Sequence, residues 1–265
     1  MRSLFRDLLK QNQFLKDMIL FFGGSWLLLT ETLRQSIQRP FHHRLVINQI
    51  YLIGVKSAPL IFITAASTGM VMSLQFGLGL EKFGGKLYIP KIVTVSIIKE
   101  LGPVFAALMM AARVGAGIAS EIGSMTVTQQ IDAIRALGTS PIKKIVLPRL
   151  IGVLISLPLL TITANLIGIF GSLIVGATEL GLDPQFYLQK ASASIKLWDY
   201  FTGLTKSIVF AFMIALPACY YGLNVKDGTK DVGVATTHAV VTASILIMVS
   251  DFVLTKLFWI VDKWT

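Results

Sequence analysis

The sequence has little charge, one cysteine and three histidines, and each scarcity excludes a class of protein. Only 14% of its 265 residues are charged, whereas a soluble domain carries about 25%. The single cysteine, Cys219, excludes an internal disulfide. The sequence contains no Walker loop, zinc-ligand cluster or nucleophile elbow, and no set of carboxylates or Ser/His pairs that would suit an intramembrane hydrolase. We therefore predict no catalytic residues, no metal site and no cofactor bound by this chain.

Long uncharged stretches predict membrane-spanning helices. Four of them have 19 to 29 residues, where a helix needs about 20 to cross a ~30 Å hydrocarbon core. They are residues 57–80, 150–178, 207–225 and 232–250. A fifth apolar stretch, residues 89–119, is interrupted by Lys99, Glu100 and Arg113. The sequence therefore predicts an all-α integral membrane protein with five transmembrane helices.

The N-terminal part has a different pattern. From residue 3 to residue 38, apolar side chains such as Ile19, Phe22 and Trp26 recur at helical spacing among basic ones. This predicts an amphipathic helix in the membrane interface, and a sixth span is disfavoured because Asp17 and Glu31 leave too short an uncharged run. A basic joint follows, made of Arg34, Arg39, His42, His43 and Arg44. We assign residues 1–45 to this helix and joint, with no cleaved targeting segment, and residues 46–265 to a transmembrane domain.

Lysine and arginine are unequally distributed between the two sides. The side that holds the N-terminus has fourteen of them and the other side has eight, with Lys206 counted on that second side. Cytoplasmic segments are enriched in these residues, so we predict a cytoplasmic N-terminus and an external C-terminus. The net charge of +10 is attributed to anionic lipid headgroups rather than nucleic acid, because the basic residues lie between apolar spans.

Small residues recur every fourth position in the first three spans. Such ladders let helices approach closely in lipid. Packing within the bundle explains most of them, and one of them could instead serve a dimer interface. The three ladders are Ala65, Gly69, Ser73 and Gly77; Ala107, Ala111, Gly115 and Ala119; and Ala164, Gly168, Ser172 and Gly176.

A short amphipathic helix is predicted at residues 128–137, in the loop between the second and third spans. Thr126 and Gln129 resemble a capping box, and Gly138 followed by Pro141 supplies a stop. Val127, Ile131 and Ile134 would form its apolar side. The opposite side, with Gln129, Asp132 and Arg135, is mixed in charge, which favours a protein partner over a membrane surface. We interpret it as a cytoplasmic coupling helix.

Lys99 and Glu100 lie within the second span, where a charge costs at least ~2.5–3.5 kcal/mol. Adjacent helical residues point about 100° apart, so the two are expected to have separate partners. Two interpretations stay open: each pairs with another helix, for instance Glu100 with Lys56, or both form a polar rim for a lipid headgroup with Leu101 and Met72 on its apolar wall. Asp251 and Arg113 are expected to hold helix contacts or to reach towards the interface.

Several blocks of sequence resemble one known family, from about residue 34 to residue 256. The chain is similar to the MlaE-type (YrbE-like) permeases of the MCE-linked lipid ABC transporters. The sequence departs from the family at two positions. Gln129 stands where the family commonly has Glu and keeps the side-chain shape, and Lys99 stands where it has Arg and keeps the positive charge. The blocks are GMVMSLQ at 69–75, KELGP at 99–103, AARVGAGIASEIGSMTVTQQIDAIRALGTSP at 111–141, PRLIGVLISLPLL at 148–160 and SDFVLTK at 250–256.

The resemblance implies a homodimer that works with two cytoplasmic ABC ATPase subunits and an external ring of MCE-domain proteins. It implies that the cargo is a phospholipid or a similar amphiphile, and it favours the headgroup-rim interpretation of Lys99, Glu100, Leu101 and Met72. A bacterial inner membrane is the expected location, with a plastid-encoded homologue as the alternative. A non-transporting membrane scaffold or assembly factor is the rival function. The residues expected to couple to the ATPase are Glu121, Thr128, Gln129, Gln130, Asp132 and Arg135.

Overall fold

The uncharged stretches form helices, which satisfy their own backbone hydrogen bonds as lipid requires. A computed structural model of the chain describes residues 2–36, 43–226 and 228–264. Among these residues, five helical segments are long and apolar enough to cross a membrane, so the predicted all-α membrane fold is confirmed. The five spans are His43–Glu81, Lys86–Val127, Ile142–Thr178, Leu197–Leu223 and Thr229–Lys263.

Most spans are divided into shorter helices. After α1 (Arg2–Ser36), the first span consists of α2 (His43–Ile53), a 3-10 turn (Val55–Ser57) and α3 (Ala58–Glu81). The second contains α4 (Ile89–Ser96), α5 (Gly102–Met110) and α6 (Ala116–Val127), joined by π-helical turns at Ile97–Leu101 and Ala111–Gly115. The third begins with a π-helical turn (Ile142–Val146) and continues as α8 (Leu147–Thr178). The remaining helices are α7 (Gln130–Ala136), α9 (Pro184–Ser194), α10 (Leu197–Leu223) and α11 (Thr229–Trp264).

The second, third and fourth spans form the centre of the bundle. In the most apolar stretch of each span, 50%, 67% and 56% of their residues are buried, against 17% and 22% in the first and fifth spans. The first and fifth spans therefore present most of their apolar side chains outwards, to lipid or to another chain.

The small-residue ladders pack helices within this chain. All twelve predicted members are buried. The closest approach is between α3 and α8, where a Cβ atom added to Gly69 would lie 1.8 Å from the carbonyl oxygen of Gly168. The interpretation of the ladders as bundle packing is thus confirmed.

One face of α1 packs on the bundle. Phe21, Ser25, Leu28 and Thr32 are buried at helical spacing, and the Phe21 ring stacks on Tyr221 at 5.5 Å between centroids. The residues singled out in the sequence, Ile19, Phe22 and Trp26, lie exposed on other faces. The interfacial location of α1 therefore stays a prediction, and Arg39 and His42 of the basic joint lie outside the described residues.

The helix α9, between the third and fourth spans, is not in the sequence prediction. The Asp183 carboxylate caps it by accepting a 2.8 Å hydrogen bond from the Phe186 amide, and Pro184 occupies its first turn. Tyr187 is fully buried and donates to the Ser172 hydroxyl at 3.0 Å. Burial raises the pKa of the Tyr187 phenol above its usual value, so this hydroxyl stays protonated and anchors α9 on α8.

Candidate functional site

Lys99 and Glu100 lie in the first π-helical turn of the second span and have separate partners, as expected. Lys99 Nζ lies 2.8 Å from Asp199 Oδ1, at the start of α10. Glu100 accepts a hydrogen bond from the ammonium of Lys206, which like Asp199 lies in α10. Single π-helical turns inside α-helices are frequent at functional sites.

Lys206 is the centre of the charged network. Its side chain is 2% exposed, and besides Glu100 it donates to Asp251 at 2.9 Å and to Thr255 at 2.7 Å. Lys206 lies nine residues after the start of α10 at Leu197, and its position relative to the membrane stays a prediction. The example partner Lys56 was wrong, since Glu100 pairs with Lys206. The expectation that Asp251 holds a helix contact is confirmed.

A pocket of about 180 Å³ lies beside this network, between the second, fourth and fifth spans. Polar residues from three helices and three aromatic rings line it. They are Lys99, Glu100, Trp198, Thr202, Lys206, Thr255, Phe258, Trp259 and Asp262. The structure confirms that Lys99 and Glu100 pair with another helix, and both also border this cavity. A headgroup rim at the cavity stays a prediction.

Leu101 and Met72 do not line this pocket. Leu101 borders a crevice of about 10 Å³ between the first three spans. Met72 packs on a separate apolar cluster of Ile89, Val93 and Ile97. The four residues expected to form one rim are thus divided between three places, and lipid contact by Leu101 and Met72 stays a prediction.

The predicted loop helix exists, but it is shorter and begins differently. It covers Gln130–Ala136. The capping box is wrong because α6 continues to Val127, so the Thr126 hydroxyl donates to the carbonyls of Ile122 and Gly222 instead. Gln129 precedes α7 with a left-handed φ of 56°.

The stop at Gly138 is confirmed. Gly138 has a φ of 71°, and its amide donates to the Arg135 carbonyl at 2.9 Å. The Thr139 amide donates to the Ile134 carbonyl at 3.2 Å. This pair of bonds is the Schellman motif, in which glycine adopts the left-handed conformation without steric cost.

The coupling residues lie in two different environments. Ile131 of α7 is buried in the main core, which leaves the opposite face outwards. Asp132 and Arg135 are exposed there and pair at 3.1 Å. The three remaining residues on this side, Thr128, Gln129 and Gln130, are exposed as well.

Glu121, in contrast, lies on α6 and forms a 2.9 Å ion pair with Arg149 Nη2 at the start of α8. Arg149 is 8% exposed and also donates to the Ile145 carbonyl. We infer that Glu121 ties the second span to the third beneath the loop. Arg113 likewise donates to the Lys56 carbonyl of the first span, which confirms its expected helix contact.

Sequence reasoning missed Asp199, Lys206 and the aromatic wall. Lys206 directly precedes the uncharged run 207–225, and a lysine at the end of a span usually reaches the interface, so its sequence position did not indicate burial. Asp199 and Trp198 gave no signal either, because their role depends on how α10 packs against the second span.

Comparison with known proteins agrees with the family resemblance seen in the sequence. The family model of the permease MlaE matches residues 46–257. A probable ABC transporter permease protein of Rickettsia conorii is 41% identical over 237 residues, which is 89% of this chain and 92% of that protein. The intermembrane phospholipid transport system permease protein MlaE of Haemophilus influenzae is 30% identical over 249 residues, 92% of this chain and 95% of that protein.

A plant protein is related as well. The chloroplastic protein trigalactosyldiacylglycerol 1 of Arabidopsis thaliana is 31% identical over 218 residues, 82% of this chain and 62% of that protein. The family match covers most of the chain, including all the residues of the charged network. This multi-pass membrane protein therefore belongs to the MlaE family of permeases.

Proposed function

We propose that this permease moves phospholipid, driven by a separate cytoplasmic ABC ATPase and in exchange with an MCE-domain protein outside. The observation that carries the proposal is the charged pocket beside Lys206, because ionisable groups inside a span are costly unless they serve a polar partner. The name of the Haemophilus relative assigns that protein to intermembrane phospholipid transport, which supports the same cargo here.

The exposed face of α7 is the proposed contact for the ATPase. A permease without its own nucleotide site can be driven only through a partner whose contact changes with the nucleotide state. Asp132 and Arg135 offer that partner polar groups, while Ile131 fixes the helix to the core. The Glu121–Arg149 ion pair would pass a displacement of this loop to the third span.

The assembly follows from the same proposal. The permease acts as a homodimer in the inner membrane of a bacterium, with its N-terminus and α7 in the cytoplasm and its C-terminus outside. The exposed apolar faces of the first and fifth spans are compatible with a second copy and lipid around the bundle. ATP is held by the partner subunit.

The test is reconstitution of the chain with the ATPase and MCE-domain subunits of its own organism. We expect ATP-dependent transfer of labelled phospholipid between proteoliposomes and the MCE protein. Transfer should stop when the phosphate-binding lysine of the ATPase is replaced or when the permease is omitted. If the permease binds both partners but lipid transfer is equally fast without ATP, the chain is a scaffold or assembly factor and the proposal is wrong.

A further inference from the structure

We propose that the charged pocket selects lipid headgroups that contain an amine, such as ethanolamine or choline, with Asp262 and Trp198 as residues that determine this preference. The inference rests on the proposed function and deepens it by naming the class of phospholipid. It follows from the donor count, the charge balance, the aromatic walls and the size of the pocket.

The lysines of the pocket are already engaged. An ammonium group has three N–H donors, and those of Lys206 have the partners Glu100, Asp251 and Thr255. A headgroup phosphate that approached Lys206 would have to displace one of them. Lys99 pairs with Asp199, and its side chain is 36% exposed, so it has N–H donors left for one phosphate.

The balance of charge favours a cation in the remaining space. Glu100 and Asp262 line the pocket, and Asp199 and Asp251 lie directly behind the lysines. Four carboxylates against two ammonium groups give a local charge of −2. The charge is still −1 when Lys263 is included, whose ammonium lies 5.3 Å from the centre of the Trp259 ring.

The apolar walls of the pocket are aromatic. Trp198, Phe258 and Trp259 line it, and the rings of Trp198 and Phe258 meet edge to face at 6.5 Å. Aromatic rings attract ammonium groups through their electron-rich faces and are the usual wall of choline sites. An aliphatic wall would exclude water equally well but would offer a cation nothing.

The size and lining of the pocket fit a headgroup. The pocket has a volume of about 180 Å³ and is lined mainly by polar and aromatic residues, which suits a headgroup rather than acyl chains. A zwitterionic headgroup can place its amine by Asp262 and Trp198 and its phosphate by Lys99. A headgroup with phosphate but no amine would leave the carboxylate side without a partner.

The test compares two lipids in the assembled complex. The complex is purified into nanodiscs of equal phosphatidylethanolamine and phosphatidylglycerol with matched chains, and the lipid retained after detergent exchange is measured by mass spectrometry. We expect the amine lipid to be enriched about threefold or more. The variants D262N and W198L should bring the ratio close to one, while W198F and the exposed control E179Q should keep it.

Three outcomes would overturn the inference, and they fall differently on the proposed function. Equal retention of both lipids by the wild type ends the amine preference but leaves phospholipid transport intact. Retention of neither lipid contradicts both. Binding of free choline without any preference between the lipids would assign the pocket to a soluble amine, and ATP-dependent lipid transfer would then still decide the transport function.

Discussion

Lys206 is the counter-ion of two carboxylates from different spans, and replacing it leaves both without a partner. We predict that Lys206→Met destabilises the permease by about 3–5 kcal/mol, because breaking a buried ion pair leaves uncompensated charge. Thermal unfolding in detergent would measure this.

Neutralising the acids provides the internal check on this prediction. Adding Glu100→Gln and Asp251→Asn to Lys206→Met should recover most of the lost stability, since no bare charge then remains. Lys82→Met, at an exposed position, should have little effect. A Lys206→Met protein as stable as the wild type would show that the network does not hold the fold.

Single functional residues could be predicted from the sequence only where they place a charge within an apolar run, which is energetically costly in a membrane. Lys99 and Glu100 stand out because they interrupt an apolar run. Their partners do not, since Lys206 is 106 residues from Glu100 and sits at the edge of an apolar run of its own. Pairing over such separations is a property of helix packing, which one sequence does not specify.

Two glycines of the helix α3 provide a matched test of helix packing. Gly69 touches the backbone of Gly168, whereas a Cβ atom on Gly79 would meet nothing within 4 Å. We predict that Gly69→Ala destabilises the protein by about 1–3 kcal/mol or more, as overpacking does. Gly79→Ala should be neutral or slightly stabilising, because alanine favours a helix by ~1 kcal/mol. Unfolding of both variants in detergent gives the comparison, and equal effects would contradict close α3–α8 packing.

The helix α7 provides a test of coupling. Asp132 and Arg135 are about two-thirds exposed, and an exposed ion pair contributes ~1 kcal/mol or less to stability. Asp132→Arg should therefore leave insertion and folding intact. It should weaken ATPase association by about 2 kcal/mol, or about thirtyfold, if the residue anchors that contact.

Co-purification with the ATPase and lipid transfer would measure this, with Glu81→Arg as a control at an exposed site on the predicted opposite side. Normal ATPase stoichiometry together with wild-type transfer in the Asp132→Arg variant would make α7 a passive helix.

Helices could be predicted from the sequence where apolar run length, helical periodicity or turn residues mark them. Apolar run length located the spans, and Gly138 located the end of α7. The start of α7 was mistaken because Thr126 continues the transmembrane helix, and local capping signals cannot show that a long helix overrides them. The signal for α9 was present in Asp183 and Pro184, a typical N-cap pair.

The charged residues of the second span restrict how the whole molecule lies in a bilayer. Glu100 and Arg113 are 13 residues apart, which is about 20 Å along a helix. If Arg113 reaches the inner interface of a ~30 Å core, the pocket lies about 10 Å below the outer surface. A headgroup would thus enter it from the outer leaflet.

Orientation can be measured directly. We predict that residues 113–149 face the cytoplasm, while residues 81–91 and 179–199 face outwards, since lysine and arginine favour the inner side. In a Cys219→Ala background, Arg135→Cys should react with an impermeant thiol reagent only after the membrane is opened. Glu179→Cys should react in intact cells. Labelling of position 135 from outside would reverse the topology.

Lys206 has a further, mechanical consequence. It links the second, fourth and fifth spans at one level, so we expect these three spans to move together as a unit. The first span is not part of this unit, and the 3-10 turn Val55–Ser57 interrupts its helix. Arg113 of the second span donates to the Lys56 carbonyl within that turn. We therefore expect a displacement at α7 to reach the first span through Arg113 and to bend it at this turn.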